Sequence, residues 1–182
     1  MPADSLTKKQ KALLAEVESV SDLLGLDWRK VKDVEREART THLERIKRHL
    51  IIGEVVMQYT LIDEYLNEQL CHYIFGRKKS FPKLWKRKKF QNFNYHVLEG
   101  LFLLEKLRYV KSFRKIPKTI AKDIDQINVL RNGLAHAFFP ENLKRSKPIY
   151  KGKSIFSVEG IEQFVKDMSE ISDFFSWNRE SN

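Results

Sequence analysis

Arg131, Asn132 and His136, in the run Arg131-Asn132-Gly133-Leu134-Ala135-His136, are the residues whose types and spacing can do chemistry. An imidazole titrates near neutral pH, so it can take up or release a proton as a general base or acid. A guanidinium carries a permanent charge and a planar fork of donors, which fits phosphate oxygens and steadies negative charge as it builds on them. An amide beside the guanidinium can orient either the imidazole or a phosphate oxygen. The spacing poses a problem. On a regular helix, five positions correspond to roughly 140° of rotation, which points the two side chains to different sides of the cylinder. They meet only if Gly133 lets the backbone leave the helix, or if each faces a partner chain.

The element that must position them begins at Ile120, where Ile120, Ile124, Ile127 and Leu130 recur every three or four positions and predict a helix with one buried face. Pro117 suits its first turn. Upstream, Ser5 to Leu24 reads as an amphipathic helix with a cap-type start at Asp4 and Ser5 and apolar positions at Leu13, Leu14, Val17, Val20, Leu23 and Leu24. Gly25-Leu26-Asp27 ends it, and Asp27 is expected to cap a long second helix through Val31, Val34, Leu43, Ile46 and Leu50. From Ile51 to Phe75 the apolar stripe widens, with Gly53 expected to kink or divide the rod and Gly76 to stop it. The stripe's width suits burial on two sides and makes it the candidate contact between copies. Leu84 to Phe90 reads as a short helix and Phe93 to Lys106 as a third buried one. Pro148-Ile149-Tyr150 and Ser154-Ile155-Phe156 read as two short strands around Lys151-Gly152-Lys153, and Ser157 as the cap of a last helix through Ile161, Phe164, Met168, Ile171 and Phe175. The fold class is therefore all-α, a bundle of about five helices with a small β-hairpin before the last helix.

Composition narrows the function. With 182 residues, 42% hydrophobic and 32% charged, the chain suits a single ordered domain. No run of about 18 apolar residues occurs, and MPADSLTKKQ lacks the apolar core of a signal peptide, so the expectation is a cytoplasmic protein without a membrane role. The one cysteine, Cys71, lies among apolar helical neighbours and is expected to be buried and inert. Of the 34 Lys and Arg residues, eight (Arg77, Lys78, Lys79, Lys83, Lys86, Arg87, Lys88, Lys89) crowd one segment without an acid, and the remainder nearly balances the 24 Asp and Glu residues. So concentrated a charge reads as a footprint for RNA phosphates, which Lys144, Arg145, Lys147, Lys151 and Lys153 would extend. Phe81, Trp85 and Phe90 either stack on unpaired bases or anchor the loop to the bundle. Glycine-rich phosphate loops, GxSxG and HExxH are absent, and the five histidines are not at zinc-ligand spacing, so no metal or cofactor is expected.

RNGLAH fits the R-x4-H motif of HEPN domains, including the polar residue that often follows the arginine, here Asn132. Long helices before the motif and one after it complete the likeness. In those terms 1–182 is one domain, with 1–42 an N-terminal helical extension and 43–177 the HEPN-like bundle. The resemblance implies metal-independent endoribonuclease activity, with the motifs of two protomers meeting in one cleft of a homodimer. It also implies a toxin of a toxin–antitoxin or defence system, with an antitoxin protein as partner. Arg131 and His136 would be catalytic and Asn132 would assist them. An inert reading stands beside this one. Arg131 would cap its helix or pair with Asp63, Glu64 or Glu68, His136 would bond a backbone carbonyl, and the chain would be a non-catalytic HEPN-like module binding a protein partner or RNA.

Overall fold

The structure, a computed structural model, describes residues 7–76, 86–136 and 148–180, with side chains at 7–76, 86–135 and 148–176. It is all-α apart from one small hairpin, and no helix among the described residues is long and apolar enough to cross a membrane. Two compact units are distinguished, Met1–Ile51 and Ile52–Asn182.

In the first unit, α1 (Lys8–Leu23) starts from a reciprocal cap: the Thr7 hydroxyl accepts from the Gln10 amide at 3.3 Å and the Gln10 side chain accepts from the Thr7 amide at 2.8 Å. Thr7 thus caps α1, while Asp4 and Ser5, expected in that role, lie outside the described residues. Gly25, at φ +63°, ends α1 as expected, and its carbonyl accepts from Arg45 Nη2 at 2.9 Å. Asp27 does not cap a long helix. Its carboxylate accepts the Arg29 amide at 3.0 Å and holds the Arg29 guanidinium, starting a 3-10 turn at Trp28–Asp33; a second such turn, Arg36–Ala38, leads into α2 (Arg39–Phe75). The side-chain hydrogen bond from Arg29 holds the Asp27 carboxyl below the usual carboxylate range.

In the second unit, α2 continues without a break through Gly53, so the expected kink is absent; it stops at Gly76, which has φ +78°. Val55, Ile62, Leu66, Leu70 and Cys71 are buried. The stripe expected to join copies is thus largely used inside this unit, although Val56, Met57, Tyr73 and Ile74 remain exposed. Cys71 is buried and free, its thiol pushed up to about 12 by burial. The segment expected to be one helix over 93–106 is instead α3 (Lys88–Phe93), a π-helical turn (Asn94–Leu98), a break at 99–102 and α4 (Leu103–Phe113). Glu105 explains the restart, because its carboxylate accepts the Phe102 amide at 2.9 Å, the acidic half of a cap that sets a new first turn.

Helix α5 (Lys118–His136) buries the expected face, Ile120, Ile124, Ile127, Leu130 and Leu134. The hairpin pairs β1 (Ile149–Tyr150) with β2 (Lys153–Ser154), antiparallel, around Lys151 and Gly152, both with positive φ. Ser157 caps α6 (Val158–Glu180) by accepting the Gly160 amide at 3.1 Å, as its sequence position implies. Phe164, Met168, Ile171 and Phe175 of α6 are buried with Tyr150 and Ile155. Gly160 is the tight point of this joint, since a Cβ there would collide with the Ser154 carbonyl.

Candidate functional site

Arg131 lies one turn before the end of α5, exposed, with its guanidinium carbon 5.2 Å from the centroid of the Tyr59 ring. Its Nη1 donates to Asn132 Oδ1 at 3.2 Å, and the Tyr59 hydroxyl donates to Asn128 Oδ1 at 3.4 Å. Burial raises the Tyr59 hydroxyl's pKa and the Arg131 charge opposes that, so the phenol stays neutral at physiological pH. A ring face under a guanidinium orients it without neutralising it, at about 0.5–1 kcal/mol for an exposed pair. The result is an oriented cation that no anion meets among the described residues.

None of the three acids considered as partners for Arg131 holds it. Asp63 is taken by Lys106, a buried ammonium that lies 2.7 Å from both of its oxygens, and by the Asn67 amide at 3.3 Å. Glu68 faces His72 at 3.5 Å on the same helix, and Glu64 is exposed. Among the described residues no carboxylate reaches Arg131. Tyr59, which supports Arg131, also lines a cleft of about 340 Å³, together with Asp63, Asn67, Asn94, Glu99 and Lys106. Lys106, missed in the sequence because it falls within an apolar helix, positions Asp63 there and removes it as a competitor for Arg131.

Of the two ways for Arg131 and His136 to meet, the break at Gly133 does not occur. Helix α5 runs through it to His136, Gly133 has no positive φ, and a Cβ there would meet nothing within 4 Å. Leu130 and Leu134, one turn apart and both buried, bridge the glycine and hold the helical register. Positions 131 and 136 therefore stay roughly 140° apart around one axis. The backbone of His136 is helical, and its side chain lies outside the described residues.

Within the basic segment, Lys86, Arg87, Lys88 and Lys89 are exposed around the start of α3, while Arg77, Lys78, Lys79 and Lys83 lie outside the described residues, as do Phe81 and Trp85. Phe90 is fully buried, its ring 5.8 Å from that of Phe75, which removes it as a stacking platform. Lys144, Arg145 and Lys147 also lie outside the described residues, and Lys153 is exposed.

Lys151, expected to extend the basic surface, spends its charge on two acids: its ammonium lies 2.6 Å from Asp123 Oδ1 and 2.8 Å from Asp167 Oδ2, both on buried side chains. The Tyr150 hydroxyl donates to Asp167 Oδ2 at 2.7 Å and the Gln163 amide to Oδ1 at 3.0 Å. Asp123, Asp167 and Glu170 bring their carboxylates within 4.8 Å of one another, beside a cavity of about 500 Å³. Their geometry suits a cation, and the Lys151 ammonium already is one. The sequence carries a faint sign of this cluster: Asp123 and Asp167 interrupt the buried faces of α5 and α6, where an acid needs a partner.

No family model, curated protein or solved structure matches this chain.

Proposed function

We propose that the protein is a metal-independent endoribonuclease of HEPN type, acting as a toxin or defence nuclease, in which Arg131 of one copy and His136 of another form one site. The observation that carries this reading is the Arg131 guanidinium: exposed, oriented by Tyr59 and Asn132, and without a carboxylate partner among the described residues. The unbroken α5 keeps positions 131 and 136 apart within a protomer, so a second copy is what completes the pair. The nucleophile is the substrate's own 2′-hydroxyl, which needs no metal-activated water. His136 takes its proton as the oxygen attacks the adjacent phosphorus, and the P–O5′ bond breaks as the 5′-oxygen takes a proton from water, giving a 2′,3′-cyclic phosphate and a 5′-hydroxyl. Arg131 offers two donors to the phosphate oxygens as their charge grows, and Asn132 holds the guanidinium by accepting from it. Lys86 to Lys89 and the rest of the basic segment draw in the RNA backbone.

The test is RNA cleavage with chelator present, by the parent chain, by Arg131→Ala, by His136→Ala and by a mixture of the two variants. A site shared between copies predicts two dead variants whose mixture regains activity, because each mixed dimer contains one intact pair. Equal cleavage by all three proteins rejects the assignment, and two dead variants with no recovery on mixing reject the shared site.

The unbroken helix also favours a second reading, a non-catalytic module that binds RNA or a protein partner through the same surface. It predicts salt-sensitive RNA retention, no product, and retention unaffected by His136→Ala.

A further inference from the structure

The break at 99–102, between the π-helical turn and α4, builds part of the cleft that Tyr59 lines. Glu99, Leu101 and Phe102 come from the break, Asn94 from the turn before it, and Asp63 and Asn67 from α2. Phe102 is 80% exposed, a large ring left in water at a cavity of about 340 Å³, and buried Leu98 and Leu103 belong to the same lining. Apolar and aromatic surface beside a few convergent polar groups is the make-up of a ligand site.

The polar groups say what the ligand must offer. Each side-chain donor of the lining is turned on an acceptor of the protein: Tyr59 on Asn128 at 3.4 Å, Asn67 on Asp63 at 3.3 Å, Lys106 on Asp63 at 2.7 Å, and Asn94 on Glu99 at 3.0 Å. The acceptors are not used up. Asn67 Oδ1 is buried and meets no donor among the described residues, and the bond to Asp63 fixes which way that amide faces. Glu99 is an exposed carboxylate, oriented by Asn94, with lone pairs left over. Charge points the same way: Lys106 offsets Asp63, and Glu99 leaves the lining with one negative charge, which repels a phosphate and draws N–H donors.

Among the RNA bases, guanine presents two donors side by side, N1–H and the 2-amino group, the match for a carboxylate. Adenine and cytosine set one amino donor beside ring acceptors, and uracil flanks its single N–H with two carbonyls. A protruding aromatic ring serves any base as a stacking face. We infer that this cleft seats a guanine base of the RNA, with Glu99 and Asn67 accepting from its N–H groups and Phe102 stacking on its ring. The neighbouring phosphate goes to Arg131, whose guanidinium carbon lies 5.2 Å from the ring centroid of the same Tyr59 that lines the cleft. Guanine as the occupant rests on the ribonuclease reading, which supplies RNA as the ligand, but the preference shows in binding and needs no cleavage.

Fluorescence anisotropy at low salt, with the full chain carrying His136→Ala so that nothing is cut, compares short single-stranded uridine RNAs that hold one guanine, adenine, cytosine or hypoxanthine. Guanine should bind at least ~10-fold tighter than adenine or cytosine, and hypoxanthine, which lacks the 2-amino group, should lose most of that margin. Adding Glu99→Gln should cut the guanine preference to within ~3-fold and leave the adenine RNA unchanged. Phe102→Ala should weaken every RNA alike, by ~10-fold. Both side chains are exposed, so circular dichroism stays unchanged. Equal affinity for these RNAs, no binding at all, or a guanine preference that survives Glu99→Gln overturns the proposal. A parent chain that cuts RNA without favouring guanine in binding keeps the nuclease reading and loses this seat; a guanine preference in a chain that cuts nothing keeps the seat and loses the nuclease.

Discussion

Asp123 and Arg131 sit on the same helix, about 12 Å apart along its axis, and the surrounding protein treats them in opposite ways. Asp123 is buried and matched by Lys151, which it shares with Asp167, and Tyr150 and Gln163 fill the remaining positions on Asp167. Arg131 is exposed, lies over an aromatic face and keeps its charge unmatched among the described residues. Burial separates the two cases. A charge removed from water must be met by another, so the Asp123 end of α5 is a structural joint. A charge left in water need not be met, and a neighbour that orients it without cancelling it leaves it available to a ligand. On this basis the RNA site proposed above is assigned to the Arg131 end, although the other end gathers more acids and bases.

The largest effect should come from Lys151→Gln, which leaves two buried carboxylates without their ammonium and is expected to cost about 3 kcal/mol in urea unfolding. A change within a few tenths of a kcal/mol would mean that Asp123 and Asp167 are solvated, and the contrast with Arg131 would fall. Next is the response to alkali. Lys151 is lowered by burial but raised more by its hydrogen bonds to Asp123 and Asp167, while burial first and Asp167 second raise Tyr150. Both groups hold their proton more tightly folded than unfolded. Their contribution is therefore whole below the ordinary values of 10.0 for Tyr and 10.5 for Lys and is lost as pH rises past them. The urea midpoint should hold steady from neutral pH and fall above about pH 10, and Tyr150→Phe should flatten that fall.

Arg131→Ala lies at the other pole. It removes only the contact with Tyr59 and the bond to Asn132, so unfolding should shift by less than about 1 kcal/mol while RNA cleavage falls ~100-fold or more. A loss of stability comparable with that of Lys151→Gln would place Arg131 among the structural charges. The smallest effect, and of opposite sign, belongs to Gly133→Ala. In a regular helix with open space at its Cβ, alanine should stabilise by about 0.5–1 kcal/mol and leave cleavage intact. A loss of activity would revive the idea that the backbone must open there.

What the sequence disclosed follows from what is local. The α5 stripe, the stop at Gly76, the hairpin turn at Lys151-Gly152 and the Ser157 cap each depend on neighbours within a turn or two, and each is present. Gly133 left two routes open in the sequence, and the helix continues there because a glycine's preference is worth about 1 kcal/mol, less than the burial of Leu130 and Leu134 on either side of it. The segment 93–106 misled for a related reason: its apolar residues suit one continuous helix, and the restart depends on a single carboxylate, Glu105, turning back to Phe102. Asp123 within an apolar face hinted that it needs a partner, but which cations answer Asp63 and Asp123 was illegible, since Lys106–Asp63 and Lys151–Asp123 each join residues far apart in the chain and only tertiary placement introduces them. At the candidate site, the types and spacing of Arg131 and His136 were readable, but the Tyr59 support beneath Arg131 was not.

The position of Lys151 on a hairpin late in the chain also sets an order of events as the protein is made. Helix α5 leaves the ribosome with Asp123 in its apolar seam before the cation that answers it has been synthesised, and that cation is in turn shared with an acid on α6 that follows it. Until both arrive the seam must stay wet, so the helices of this unit are expected to gather loosely during translation and to dry out together, in one late step, once α6 has emerged.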